Sequence, residues 1–189
     1  MAALSSLLGL VREKAPGIID FMMLDALKDS YREFCRQSEF LRQTLTISGA
    51  AGETVALSVR EGYVINLIKD VKNSGGYGLY VGKDYESPSP SKIVFSQNQQ
   101  DVNAKVTLLP SSLIDIETQI DSDLIERYGD AIAAGAAKKL RLMPGETWFN
   151  PDLAAMLESQ FIEGARQAFR DQEESFNSFR NRVRKREFF

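Results

Sequence analysis

The hydrophobic period of this chain switches twice, from helical to alternating and back, and that switch restricts the possible folds more than any other feature. From Ile18 to Phe40, apolar residues recur at Leu24, Leu27, Tyr31, Phe34 and Cys35, with Lys28, Asp29, Arg32, Glu33 and Arg36 between them, the spacing of an amphipathic helix. Leu4, Leu7, Leu8 and Val11 predict a short helix before it, terminated or bent at Pro16-Gly17. Beyond Phe40 the period falls to two. Leu41, Leu45 and Ile47 alternate with Arg42, Thr44 and Thr46, and Val55, Leu57 and Val59 alternate with Thr54 and Ser58 across a turn at Gly49 to Gly52. Further β signals lie at Tyr63 to Lys72, Tyr77 to Val81, Lys92 to Phe95 and Val102 to Leu108. Strands this short and closely spaced predict a small antiparallel sheet or sandwich.

After Leu109-Pro110 the helical period returns. Asp121, Ser122 or Asp123 can cap a helix reaching about Met143, with Asp123 and Glu126 in capping-box register and Leu124, Ile125, Tyr128, Ile132, Ala136 and Leu140 on one face. Pro144-Gly145 stops it. Asn150-Pro151 then pairs a capping side chain with proline at a first helical position, and Leu153, Met156, Leu157, Phe161, Ala165, Ala168 and Phe169 continue the helix. The small residues Ala133 to Ala137, facing Gly164 and Ala165, predict a close approach of these two helices. The pattern as a whole predicts an α+β fold: a helical bundle of one N-terminal and two C-terminal long helices with an inserted small antiparallel β-domain. Its expected divisions are 1–40 and 110–175 for the bundle, 41–109 for the β-domain, and 176–189 for a basic, aromatic tail.

Composition narrows the chemistry. A chain of 189 residues with 43% hydrophobic and 26% charged residues can bury a core, and it does not read as disordered. No apolar run approaches the ~20 residues of a membrane span, and Met1 to Arg12 lacks a basic region before its apolar stretch, so neither membrane insertion nor secretion is expected. Histidine is absent, which removes the commonest proton carrier near neutral pH and the commonest metal ligand. With a single cysteine, Cys35, in a helical run, neither an internal disulfide nor a zinc site of the usual kind is expected. No cofactor is expected, and the chain reads as a protein that fits against other subunits, not as an enzyme.

Several segments could still carry function. Gly75, Gly76 and Gly78 match no phosphate-binding pattern and follow Asn73-Ser74, which is hairpin turn chemistry. Asp84 to Ser91 contains two prolines that cannot donate to a sheet, so an exposed contact loop with Tyr85, Pro88 and Pro90 is expected there. The acids Asp115, Glu117, Asp121, Asp123, Glu126 and Asp130 lack the spacing of a calcium loop and suit a solvated helix start, although a carboxylate-dependent activity is a rival reading. In the tail, Arg180, Arg182, Arg184, Lys185 and Arg186 interleave with Phe176, Phe179, Phe188 and Phe189. That mixture suits a docking peptide, with aromatic anchors for apolar pockets and arginines for carboxylates. Contact with nucleic acid through the same cations is the alternative, against a net charge of −3 and a pI near 5.2.

The order of these features resembles the head-to-tail adaptor proteins of tailed bacteriophages, also called connector or head-completion proteins. The matching segments are Val11 to Gly17, Tyr31 to Ser38, Leu109-Pro110, Gly135 to Leu140, and Met143 to Ala154 with its Trp148-Phe149-Asn150-Pro151-Asp152-Leu153-Ala154 run. Where the family places an indole after the Phe34-Cys35-x-x-Ser38 run, this chain has Phe40 or Leu41. The resemblance implies a homo-oligomeric ring of about twelve copies in the virion neck, stacked between a portal protein and a tail or nozzle protein. It implies synthesis in the host cytoplasm, passage of DNA through the ring without sequence-specific binding, and no membrane. In such a ring the 176–189 tail is expected to dock on the portal or a neighbouring subunit, and the acids from Asp115 to Asp130 are expected to face the channel. Tail terminators and stoppers share parts of this design and are the alternative neck components.

Overall fold

The computed structural model describes residues 2–111 and 119–175, and the chain order within it is helix, strand, helix. A two-residue strand β1 (Ala2–Ala3) and a 3-10 turn (Leu4–Leu7) lead into α1 (Leu8–Lys14) and α2 (Asp20–Ser38). The β region comprises β2 (Arg42–Gly49), β3 (Thr54–Ala56), β4 (Tyr63–Lys72), β5 (Tyr85–Ser89), β6 (Lys92–Phe95) and β7 (Gln99–Pro110). A short strand β8 (Gln119–Ile120) then precedes α3 (Ser122–Arg141) and α4 (Pro151–Glu173).

This architecture corrects the expected bundle of one N-terminal and two C-terminal long helices with an inserted small antiparallel β-domain. The short first helix expected before Pro16-Gly17 is present as α1, seven residues long, and Gly17 at φ +84° separates it from α2, so two helices and not one precede the strands. The β region divides as well. Two three-stranded antiparallel sheets form, in the orders β2-β7-β4 and β3-β6-β5, and β1 pairs with β8 separately. Gly49 marks the division: the ladder with β7 shifts register between Ile47 and Gly49, and a Cβ at Gly49 would lie 2.5 Å from Val55 and 3.1 Å from Phe95. The chain turns there so tightly that β3 leaves its predecessor and pairs with β6.

Other differences have local causes. Tyr77 to Val81 makes only isolated bridges, Lys72 to Gly78 and Val81 to Tyr85, and no strand of its own. The proline stretch read as a loop contains the edge strand β5, which tolerates Pro88 at a register shift between Glu86 and Ser89 where no donor is needed. Among the helix caps, Asn150 accepts from the Leu153 amide at 3.0 Å as expected, and of the three candidates Asp121, Ser122 and Asp123 it is Asp121 that caps α3, accepting from the Asp123 amide at 3.0 Å.

One buried cluster runs through both kinds of structure, from Leu7, Val11, Leu27, Phe34, Ile132 and Phe161 in the helices to Val71, Ile93, Phe95, Val106 and Leu108 in the strands. Phe34 is fully buried where α2, α3 and α4 meet, with ring centroids 5.7 Å from Tyr128 and 6.1 Å from Phe161. The small residues do bring α3 and α4 together, at specific points. A Cβ at Gly164 would lie 2.3 Å from that of Ala131, and one at Gly135 would lie 2.4 Å from Ser30 Oγ and 2.5 Å from Phe161. Ser30 is buried and donates to the Ile132 carbonyl at 2.6 Å, so a polar group also ties α2 to α3.

Candidate docking surfaces

The helices alternate in direction, so their termini gather at two ends, and the exposed large apolar residues fall there with the exception of Val64, which is 42% exposed on β4. At one end, α1 stops, α2 starts, α3 stops and α4 starts, and Arg141 holds the junction by donating to the Lys14 carbonyl at 2.9 and 3.2 Å and to the Trp148 carbonyl at 3.1 Å. Asn150 donates its amide to the Arg141 carbonyl at 2.9 Å and closes the α3–α4 loop onto the same point. This helical end leaves Ile19 64%, Phe21 77%, Leu142 46%, Phe149 46% and Met156 64% exposed. Exposure on this scale is costly for a solitary protein and is characteristic of contact surfaces.

At the other end α2 and α4 finish against the sheets through an ion network. Glu173, in the last turn of α4, accepts from Arg42 at 2.6 Å and Lys69 at 2.5 Å, and Lys69 also reaches Glu39 at 2.6 Å. Glu39 itself ends α2 in the left-handed region at φ 48°. Hydrogen bonding from Lys69 lowers the Glu173 carboxyl below its ordinary range, partial burial opposes this, and Arg42 adds to the lowering. Beyond the clasp the sheets present Tyr77, Tyr80 and Val81, which are 76%, 67% and 69% exposed. That hairpin is well organised: Asn73 Oδ1 accepts from the Tyr77 amide at 3.0 Å and Asp84 Oδ2 from the Tyr80 amide at 2.9 Å. The exposed aromatics are therefore held out by their own backbone.

The expected site residues fall unevenly on this frame. Asp121, Asp123, Glu126 and Asp130 are all exposed on α3 and its cap, but they do not act as one strip. Asp121 and Asp123 line a cleft with Phe40, Leu41, Arg42, Arg60 and Gln172, while Asp130 is paired with Lys14 at 2.9 Å. Asp115 and Glu117 lie outside the described residues, as does the whole tail: Phe176, Phe179, Arg180, Arg182, Arg184, Lys185, Arg186, Phe188 and Phe189. Pro88 and Pro90 are exposed, but Tyr85 is 4% exposed, which removes it from the expected contact loop. Burial raises its hydroxyl pKa and Asp70 adds to the effect. Between β4 and the proline strand lies an open cleft of about 350 Å³ whose lining includes Leu67, Ile68, Val81, Pro88 and Pro90.

The remaining perturbed groups are buried structural ones. Cys35 is fully buried, and burial pushes its thiol up despite a hydrogen bond from Tyr31. Tyr31 is raised chiefly by burial, with Cys35 and Tyr63 adding to it, and Tyr128 is raised by burial and by its hydrogen bond to Asp171. Among the described residues, no three His, Cys, Asp or Glu side chains converge as a metal site would need, and no helix is long and apolar enough to cross a membrane.

The residues that the sequence did not flag are those of the helical end. A signal existed for Phe21: it stands about 200° around α2 from buried Met23 and cannot share its face. Met156 continues the apolar pattern of α4 in the sequence, yet the buried stripe of that helix follows Ala154, Leu157, Phe161, Ala165 and Ala168. No family model matches the chain, and no curated protein matches it.

Proposed function

We propose that this chain is a structural virion subunit of the tailed-bacteriophage neck, forming a ring under the portal that joins head to tail and continues the DNA channel. The observation that carries this reading is the two-ended display of apolar side chains. Ile19, Phe21, Leu142, Phe149 and Met156 lie at the helical end, and Tyr77, Tyr80 and Val81 at the sheet end. A protein inserted between two partners needs a contact surface at each end, and a rigid core between them so that the two contacts hold a fixed distance. α2 and α4, 19 and 23 residues long, supply a strut of about 30 Å. The ordered motifs that resemble the adaptor family support the same reading, since several sit where the strut is built: Gly135 at the α2–α3–α4 contact, and Asn150-Pro151 at the start of α4. The function is mechanical fit, with no catalytic step.

Electron microscopy of the purified chain alone and mixed with portal rings tests this. Weakly associating protein on its own and an added ring layer on the portal are expected. Portal rings that remain bare at saturating protein would overturn the proposal.

A further inference from the structure

The helical end has a charge pattern as well as an apolar one. The exposed acids Asp25 and Asp152 lie one turn along α2 and α4 from Phe21 and Met156, Glu146 accepts through its carbonyl from the Phe149 amide at 3.1 Å, and Glu13 is exposed near the end of α1. Three cations of the same end are already engaged: Arg12 pairs with Asp20 at 2.7 Å, Lys14 pairs with Asp130 at 2.9 Å, and the Arg141 guanidinium is committed to backbone carbonyls. An apolar patch accompanied by exposed acids fits a chain segment that carries aromatic side chains among cations. This protein contains one, at positions 176–189, where Phe176, Phe179, Phe188 and Phe189 accompany Arg180, Arg182, Arg184, Lys185 and Arg186 against the lone acid Glu187. We propose that the helical end of one copy receives the 176–189 segment of a second copy.

Reach favours a second copy over the segment's own chain. α4 carries the chain away from the helical end, and Glu173 is clasped to Arg42 and Lys69 at the sheet end. The way back along its 23 residues is about 34 Å. The segment spans at most about 50 Å fully extended. Its terminal aromatics, Phe188 and Phe189, could thus meet their own helical end only at about two thirds of full extension, well beyond the about 20 Å that a flexible chain of this length averages end to end. A second copy whose helical end lies beside the first copy's sheet end is reached with slack. Such a contact joins different surfaces of the two copies, so it closes into a ring when the rotation permits. The inference rests on the ring reading only in requiring neighbouring copies.

The test uses the full chain and a fluorescently labelled synthetic peptide of residues 176–189. Fluorescence anisotropy is expected to show binding that weakens at least tenfold in Phe21→Ser or Phe149→Ser chains, and at least tenfold when Arg182 and Arg184 of the peptide become Glu. Sedimentation of the unlabelled chain is expected to show average mass rising with concentration and falling when excess peptide is added. Both phenylalanines are exposed, so the variants keep their fold, which circular dichroism checks. Equal peptide binding by the Phe21→Ser and Phe149→Ser chains would overturn the proposal, and so would a mass that stays at one copy at every concentration with no peptide bound. Normal ring formation on the portal by a Phe21→Ser, Phe149→Ser double variant would sink this inference and leave the neck reading standing. Peptide binding by a chain that never joins the portal would do the reverse.

Discussion

The helical layer and the β region meet the same need, burying apolar surface, by opposite means. In the helical layer α3 is covered on most sides, with Leu124, Ile132, Ala133, Ala134, Ala136, Ala137 and Leu140 all fully buried, and glycine is used where neighbouring atoms leave no room for a Cβ. In the β region burial on both faces is confined to the end of β7, from Val106 to Pro110, while β4 is half-buried along most of its length and β5 exposes three of its five residues. Tight packing makes the first region a strut that cannot bend, because interiors at crystal-like density transmit displacement without absorbing it. Loose packing leaves the second with edges and a projecting hairpin available for contact. Rigidity and contact surface are therefore assigned to different parts of one chain.

Breaking the strut gives the largest expected effects. Phe34→Ala removes the ring that α2, α3 and α4 share, and should cost about 3 to 5 kcal/mol, or on the order of 10 °C in Tm, measured by thermal and urea unfolding. A loss below about 1 kcal/mol would mean that the three helices can collapse onto the cavity and that the layer is softer than its packing implies. Next comes Gly135→Ala. Helix propensity alone favours alanine by about 1 kcal/mol. Overpacking against Ser30 and Phe161 outweighs that, for a net loss of about 1 to 2 kcal/mol. The double variant Ser30→Ala, Gly135→Ala should recover part of it, since one of the two close contacts is gone; strict additivity in a double-mutant cycle would show that the serine does not set the fit.

How far the sequence predicted each region follows the same division. The α2 and α4 helices were readable because their apolar residues repeat over many turns and because Asn150-Pro151 marks a start through local chemistry. β4, β6 and most of β7 were readable through alternation and β-branched content. What the sequence did not show was partnership. That β3 joins β6 and not β2 depends on a tight approach at Gly49, and that β1 meets β8 depends on contacts across more than a hundred residues; neither leaves a periodic trace. The helical-end surface was missed for a related reason. A residue such as Met156 fits the apolar pattern of its helix, and only the positions of the neighbouring helices decide that it faces outward.

A smaller effect separates the regions by sign. Thr107 in β7 is fully buried and its hydroxyl has no hydrogen-bond partner among the described residues, unlike Ser30, which is satisfied. Thr107→Val keeps the shape and removes the unpaired group, so stability should stay unchanged or rise by up to about 1 kcal/mol, whereas Ser30→Ala should lose about 1 kcal/mol. Matched urea titrations decide this, and a loss for both would mean that the β7 hydroxyl finds a partner after all.

The smallest expected effect lies at the joint between the two regions, where Glu173 meets Arg42, Lys69 and Glu39. Glu173 is 42% exposed in its side chain, so solvent screening limits the whole clasp to below about 1 kcal/mol. Its carboxyl is held below its ordinary value of 4.5, first by Lys69. A carboxylate lowered in the folded state stabilises that state above its unfolded pKa, and this stabilisation is lost as pH falls from about 4.5 through the lower folded value. Lys69→Ala should therefore reduce stability slightly at pH 7 and flatten the fall of stability as pH drops below about 4.5. Hydrogen exchange in the last turn of α4 should quicken in the same variant with little change around Phe34, because the clasp secures only the end of the strut. An unaltered pH profile, together with unchanged exchange at Gln172 and Glu173, would show that α4 is held to the sheets by apolar contacts alone. The contrast between a rigid layer and a separately attached β region would then have to be replaced by one continuous packed unit.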